Sequence, residues 1–199
     1  MSLTITKGEG INISKAAQDA GAPLHKLVAG AGWDAAAEGR SIDLDLLTVY
    51  LDQDGKAIPD ENSNGTNADE AVCAFFNKDP KGAHHTGDNL TGDGDGDDEQ
   101  IVVTLADVPA NVKEVAVVIA SYSGQTFGEV KNAFVRMVNV DGNTELVKYD
   151  LTDNYSSTRA VEMGRLVRNG SEWDFKATGE SRDGDFKGVL SGYGVTGVN

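Results

Sequence analysis

The sequence predicts an all-β chain, a sandwich of two antiparallel sheets with a few short helices. Short apolar and β-branched runs recur along the chain, several of them alternating with polar residues at a period of two. Asp, Asn and Gly clusters separate these runs, as tight hairpins require. Glycines number 24 and prolines only 4, which favours many tight turns over a stiff linker.

The expected strands follow in order. Residues 3–6 and 11–13 alternate as a half-buried strand does. Residues 24–33 and 41–51 come next, and Asp52-Gln53-Asp54-Gly55 reads as the turn closing the second. Further strands are expected at 71–76, 101–105, 112–120, 133–140, 145–151, 160–167 and 172–177. Asp141-Gly142-Asn143 and Arg168-Asn169-Gly170-Ser171 supply hairpin turns between them. Helical signals are few: two turns at 127–133 and one each at 155–161 and 186–190. The polar stretch 59–69 reads as a surface loop, because strand patterns continue on both sides. With 199 residues and no repeat of 20–50 residues, a single domain spanning 1–199 is expected.

Composition removes several function classes. Seventeen basic residues against 32 acidic ones leave a net charge of −15, which disfavours nucleic acid and anionic membrane surfaces. No run is long and apolar enough for a membrane span. The opening MSLTITKGEG lacks the core of a secretory signal, and the single Cys73 forms no internal disulfide. A cytoplasmic location is the expectation.

One segment stands apart. Between Asp88 and Glu99 lie six carboxylates (Asp88, Asp93, Asp95, Asp97, Asp98 and Glu99) and no basic residue. Gly92, Gly94 and Gly96 let that backbone fold so that oxygens converge. Hard oxygen donors in a flexible loop suit Ca²⁺, which takes six to eight of them at about 2.3–2.6 Å. The thiolates and imidazoles that Zn²⁺ prefers are missing at suitable spacing. An EF-hand is excluded, since Asp98 stands where its glycine belongs and Thr104 where its glutamate belongs. One copy of the Gly-Asp run also cannot stack into a Ca²⁺-binding β-roll. In Ser41-Ile-Asp-Leu-Asp-Leu46, Ile42, Leu44 and Leu46 share one strand face, and Asp43 and Asp45 share the other. If that second face meets the acidic loop, the two aspartates complete a cation cage. The competing expectation is a solvated charged face.

Several motifs taken together carry a resemblance. Gly32-Trp33-Asp34, Asp43-Leu44-Asp45, the His85–Glu99 stretch HTGDNLTGDGDGDDE, the FGEVKNAFVRMVN of 127–139, YDLTDNYS of 149–156 and EWDF of 172–175 resemble the TerD family of bacterial tellurite-resistance and general stress proteins. That resemblance implies a β-sandwich binding Ca²⁺ through the acidic loop with the DLD strand alongside, and no established enzymatic activity. The full candidate ligand set is then Asp34, Asp43, Asp45, Asp88, Asn89, Asp93, Asp95, Asp97, Asp98 and Glu99. The expected partners are calcium ions and other proteins of a stress-response system.

Other polar residues read more simply. Cys73, in AVCAFF, is expected to be inert core. His84 and His85 are expected to be solvated loop residues, and Trp33 and Trp173 to be packing aromatics. Lys131, Arg136, Arg159, Arg165 and Arg168 are expected to be scattered surface charge rather than a basic face. No G-x-S-x-G elbow or phosphate-binding loop occurs. A non-catalytic Ca²⁺-binding module is therefore the leading expectation. The alternative is a metal-dependent hydrolase or anion-handling enzyme using the acidic loop as its metal site.

Overall fold

The computed structural model describes residues 3–4, 7–35, 41–59, 66–92, 94, 96–151, 155–182 and 184–198. Among these residues, twelve strands form two six-stranded sheets. The first holds β1 (Leu3–Thr4), β10 (Thr144–Asp150), β9 (Val130–Asn139), β3 (Lys26–Ala35), β7 (Glu99–Thr104) and β6 (Ala83–His85), in that order across the sheet. The second runs β2 (Gly10–Asn12), β12 (Glu172–Ser181), β11 (Ala160–Asn169), β8 (Glu114–Ser121), β4 (Leu44–Leu51) and β5 (Val72–Cys73). All ladders are antiparallel except β1 on β10, which is parallel. Alternation at period two sends Ala29, Ala31, Ile101, Val103, Val135 and Met137 inward from the first sheet, where they are buried. Val117, Met163 and Phe175 meet them from the second, around a small gap also lined by Val135 and Met137.

Turn chemistry places the hairpins where the sequence puts them. Gly170 takes φ +62° between β11 and β12, and Asn143 takes φ +43° between β9 and β10. Gly55 at φ +71° closes the turn after β4, which returns only as far as an isolated bridge from Ala57 to Leu51.

The differences from expectation concern short elements. The run at 11–13 is split, since Ile13 opens helix α1 (Ile13–Asp19). Asn12 caps it by accepting from Lys15 N at 2.7 Å, and Ile13 and Ala17, one turn apart, are buried. The expected strand 71–76 is a four-residue helix α2 (Ala68–Ala71) followed by the two residues of β5. The expected helix at 127–133 is one 3-10 turn, Phe127–Glu129, which passes straight into β9. Residues 155–159 form turns that lead into β11 rather than a helical turn. The helix expected at 186–190 is present as α3 (Phe186–Gly192), capped by Asp185 accepting from Gly188 N at 2.9 Å. Residues 5–6 of the first expected strand, and 60–65 of the expected surface loop, lie outside the described residues.

Two features position the acidic segment. The first is an open sheet edge. Strand β5 pairs with Thr48 and Val49 of β4, so among the described residues the earlier part of β4 has backbone donors without a strand partner on that side. The second is a strip of small residues on β3, Gly30-Ala31-Gly32, over which the segment folds back.

Candidate metal centre

Strand β4 delivers the first two carboxylates. Asp45 pairs in register with Ala120 of β8, and Tyr122 N donates to Asp43 O at 3.0 Å just before the strand begins. Asp45 is 2% exposed, whereas a solvated strand face would leave it open. The acidic segment delivers the third, Asp88. One oxygen from each of Asp43, Asp45 and Asp88 falls within 4.8 Å of the other two. Two oxygens bound to one Ca²⁺ at about 2.4 Å sit at most about 4.8 Å apart, so this spacing fits a shared ion. Asp43 Oδ1 and Asp45 Oδ2 are buried without a hydrogen-bond partner among the described residues. A buried, unsatisfied carboxylate oxygen is costly unless a cation meets it.

The electrostatics agree. Burial, then the negative charge of Glu99, Asp43 and Asp88, pushes the Asp45 carboxyl up to about 8. Burial and the charges of Asp88 and Glu99 raise Asp43 to about 6. Both shifts arise because negative charge is placed where water is excluded and like charges crowd, and a bound cation would offset both shifts by favouring the ionised form.

Glu99 ties the two segments together. Its carboxylate is 1% exposed and caps the open edge of β4, where Leu46 N donates to Oε2 at 2.7 Å. Its other oxygen accepts from Asn89 N at 3.2 Å. Each contact is one residue along from a cluster member, Asp45 or Asp88. His85 lies against it, with Nε2 3.4 Å from Glu99 Oε2, while Gly87 N donates to Nδ1. The expectation of a solvated His85 is therefore wrong: it is 1% exposed. Of the two, His84, alternating outward, is exposed, and it pairs with Asp79. The alternation of β6 was the missed signal.

The remaining candidates have other partners. Asn89 organises a turn, its Oδ1 accepting from Thr91 N and Gly92 N, and its Nδ2 donates to Asp98 Oδ1 at 2.9 Å. Asp98 Oδ2 also accepts from Trp33 N at 2.8 Å. Burial and the charges of Asp34, Glu99 and Asp97 still raise the Asp98 carboxyl above its usual range, against the pull of the Trp33 N–H. Asp34 is exposed and accepts from Asn132 Nδ2 at 2.6 Å. Asp97 is held by Arg136 at 2.7 Å, with a 1% exposed side chain. Asp93 and Asp95 lie outside the described residues. Thus the structure groups Asp43, Asp45 and Asp88, with Glu99 bridging their segments, and places Asp34, Asp97 and Asp98 on protein donors.

The platform beneath the segment went unread in the sequence. A Cβ on Gly32 would lie 2.3 Å from Gly96 O, and one on Gly92 would lie 2.5 Å from Trp33 Nε1. Only glycines allow this approach. Trp33 is fixed in turn by donating from Nε1 to Ile42 O at 2.9 Å, next to Asp43.

Cys73 is buried as expected. Burial, aided by the nearby Asp79 charge, pushes its thiol up to about 12, far from a nucleophile. Lys131 and Arg159 are exposed, as expected of surface charge, but three arginines are engaged: Arg136 with Asp97, Arg165 with Glu162 and Glu114, and Arg168 with the carbonyls of Val108, Pro109 and Val112.

The fold and site together define a class: a two-sheet β-sandwich with a cluster of carboxylates at the edge of one sheet. Comparison with known proteins is more specific. The TerD domain matches residues 1–193. The chain is 36% identical over 204 residues to the tellurium resistance protein TerD of Serratia marcescens, covering 98% of each chain. It is 37% identical over 205 residues to general stress protein 16U of Bacillus subtilis, again covering 98% of each. The crystal structure of a homologue of telluride resistance protein (TerD) from Streptomyces coelicolor shares the fold, with a TM-score of 0.68 at 20% identity, over 85% of this chain and 98% of that one. The chain belongs to the TerD family of tellurium-resistance and general stress proteins.

Proposed function

We propose that this protein is a Ca²⁺-binding stress-response module that acts in the cytoplasm through protein partners rather than by chemistry. The observation that carries the reading is the convergence of Asp43, Asp45 and Asp88, with Asp45 buried and unsatisfied. The three carboxylates come from two separated segments, so an ion between them would cross-link the β4 edge to the acidic segment. Oxygen-only donors favour Ca²⁺ over softer ions. Among the described residues no helix is long and apolar enough to cross a membrane. The apolar cavity of about 610 Å³ between α1 and β10 is lined by residues such as Ile11, Lys15, Ala16 and Leu146, none of them from the carboxylate cluster.

Calorimetric titration of metal-stripped protein with CaCl₂ tests the reading. Saturable binding that Asp45→Asn abolishes is expected. No binding at millimolar Ca²⁺ sinks it.

A further inference from the structure

The acidic segment is already gripped by one cation from elsewhere in the chain, Arg136 of β9. Gly30 of β3 pairs in register with Gln100 of β7 on one side and Arg136 of β9 on the other, which makes one row across the outer face of the first sheet. The Asp97 carboxylate lies over that row. Arg136 grips it with two parallel bonds, Nε to Oδ1 at 2.7 Å and Nη2 to Oδ2 at 3.1 Å. Gln100 Nε2 adds a third at 2.9 Å. A Cβ on Gly30 would fall 2.2 Å from Asp97 Oδ2, so the socket exists only because that residue is glycine. On its far side, Arg136 Nη1 reaches Glu145 Oε2 at 3.4 Å. A planar guanidinium held from both sides is a rigid anchor.

The three residues from Asp97 onward are fixed in succession. Asp97 sits on Arg136, Asp98 N donates to Ala31 O at 2.8 Å, and Glu99 accepts from Leu46 N and Asn89 N. Those last two donors adjoin Asp45 and Asp88. The converging carboxylates repel one another when no cation lies between them, and something must hold their segments together against that repulsion.

We infer that Arg136 is a positioning residue for the Asp43–Asp45–Asp88 cluster, setting its cation affinity through Asp97 and Glu99 without touching the ion. This inference rests on the cation-binding reading proposed above. It makes a prediction of opposite sign to simple electrostatics. Removing a positive charge near an anionic site strengthens cation binding by Coulomb attraction alone, whereas loss of an anchor weakens it.

The test is Ca²⁺ titration of the metal-stripped full chain as wild type, Arg136→Gln, Arg136→Lys and Asp97→Asn, with amide hydrogen exchange at Asn89 and Asp98. Outer-shell partners of metal ligands are typically worth about 10- to 100-fold in affinity, and a loss of about tenfold is expected for Arg136→Gln. Arg136→Lys keeps the charge without the two-pronged grip, and the same loss is expected there. Exchange at Asn89 and Asp98 is expected to quicken in the metal-free variants, while melting stays cooperative. Unchanged or tighter Ca²⁺ binding in Arg136→Gln and Arg136→Lys overturns the inference and leaves the cation-binding reading intact. Absence of binding in the wild type overturns both.

Discussion

Asp45 and Glu162 are buried carboxylates on the same sheet, and their surroundings could hardly differ more. Strand β8 lies between them, with Asp45 opposite Ala120, and Glu162 opposite Val118. Alternation puts both on one face. Glu162 is fully buried and satisfied: Arg165 Nε donates at 2.7 Å, Tyr193 Oη at 2.5 Å, and Arg182 also pairs with it. Burial alone would raise its carboxyl. The hydrogen bonds from Arg165 and Tyr193 and the charges of Arg165 and Arg182 outweigh that and hold it below the usual range. Among the described residues Asp45 has no such cation, and burial together with its neighbours Glu99, Asp43 and Asp88 pushes it the other way. Burial with a resident cation makes a structural lock, here fastening the end of α3 to β11. Burial among like charges, on the reading proposed above, makes a place for a cation from outside.

The largest effect separating the two sites is expected at Glu162. Glu162→Gln leaves Arg165 and Arg182 facing a neutral amide, and breaking a buried pair costs roughly 3–5 kcal/mol. Because side chains of both arginines are partly exposed, the lower end is expected. Urea denaturation with and without Ca²⁺ should show the same loss in both conditions. A loss that Ca²⁺ repairs would mean the two sites are not independent.

Ca²⁺ itself should act only at the other site. A ligand that binds the native state alone stabilises it by RT ln(1 + [L]/Kd), about 2.7 kcal/mol at a hundredfold excess. At roughly 2–4 °C per kcal/mol for a chain of this size, melting should shift by about 5–10 °C. Mg²⁺ should shift it less, because it keeps more of its water. Equal shifts from both ions would indicate general screening of an acidic chain.

Asp45→Asn should change sign with metal. Without Ca²⁺ the folded protein must take up a proton at Asp45 that the unfolded chain releases near its ordinary value of 3.8. A raised carboxyl contributes a stability term that is complete below that value and is lost as pH rises toward about 8. The amide avoids this loss, so the metal-free variant should exceed wild type by about 1–3 kcal/mol at pH 7. The gain should begin near pH 4 and level off above pH 8. Glu162 provides the opposite slope, since its lowered carboxyl loses stability as pH falls through the folded-state value. Melting curves of the metal-free pair across pH 4–9 check the sign at Asp45. A parallel offset at every pH would contradict the account of Asp45.

The smallest effect concerns the platform. Gly30→Ala places a methyl against the Asp97 carboxylate and should cost about 1–3 kcal/mol, typical of overpacking. Differential scanning calorimetry should show the loss in metal-free protein. An unchanged melting point would mean that the segment lifts from β3 freely.

Much of the fold was legible because alternation and turn chemistry are local. The β9–β10 and β11–β12 hairpins follow from Asp141-Gly142-Asn143 and Asn169-Gly170. Misread elements were short ones decided by context. Residues 127–133 have a helix-compatible pattern, but β9 is claimed by β3 and β10 on its two sides. Ile13 could continue a strand, yet the Asn12 cap turns the chain into α1.

For the site, the sequence by itself marked the acidic glycine-rich segment and the Asp43–Asp45 strand as the places where negative charge needs a partner. It also set the β-sandwich, through alternation and turns that neighbouring residues enforce. Which carboxylates converge was decided only by the tertiary structure. Asp88 and Asp97 are the same residue type in the same segment, nine positions apart. One meets Asp45, and the other meets Arg136, 39 residues further along the chain. A carboxylate's role follows from the charge it faces across the fold, and that pairing is fixed by sheet register and by the glycines that let the segment lie down on β3.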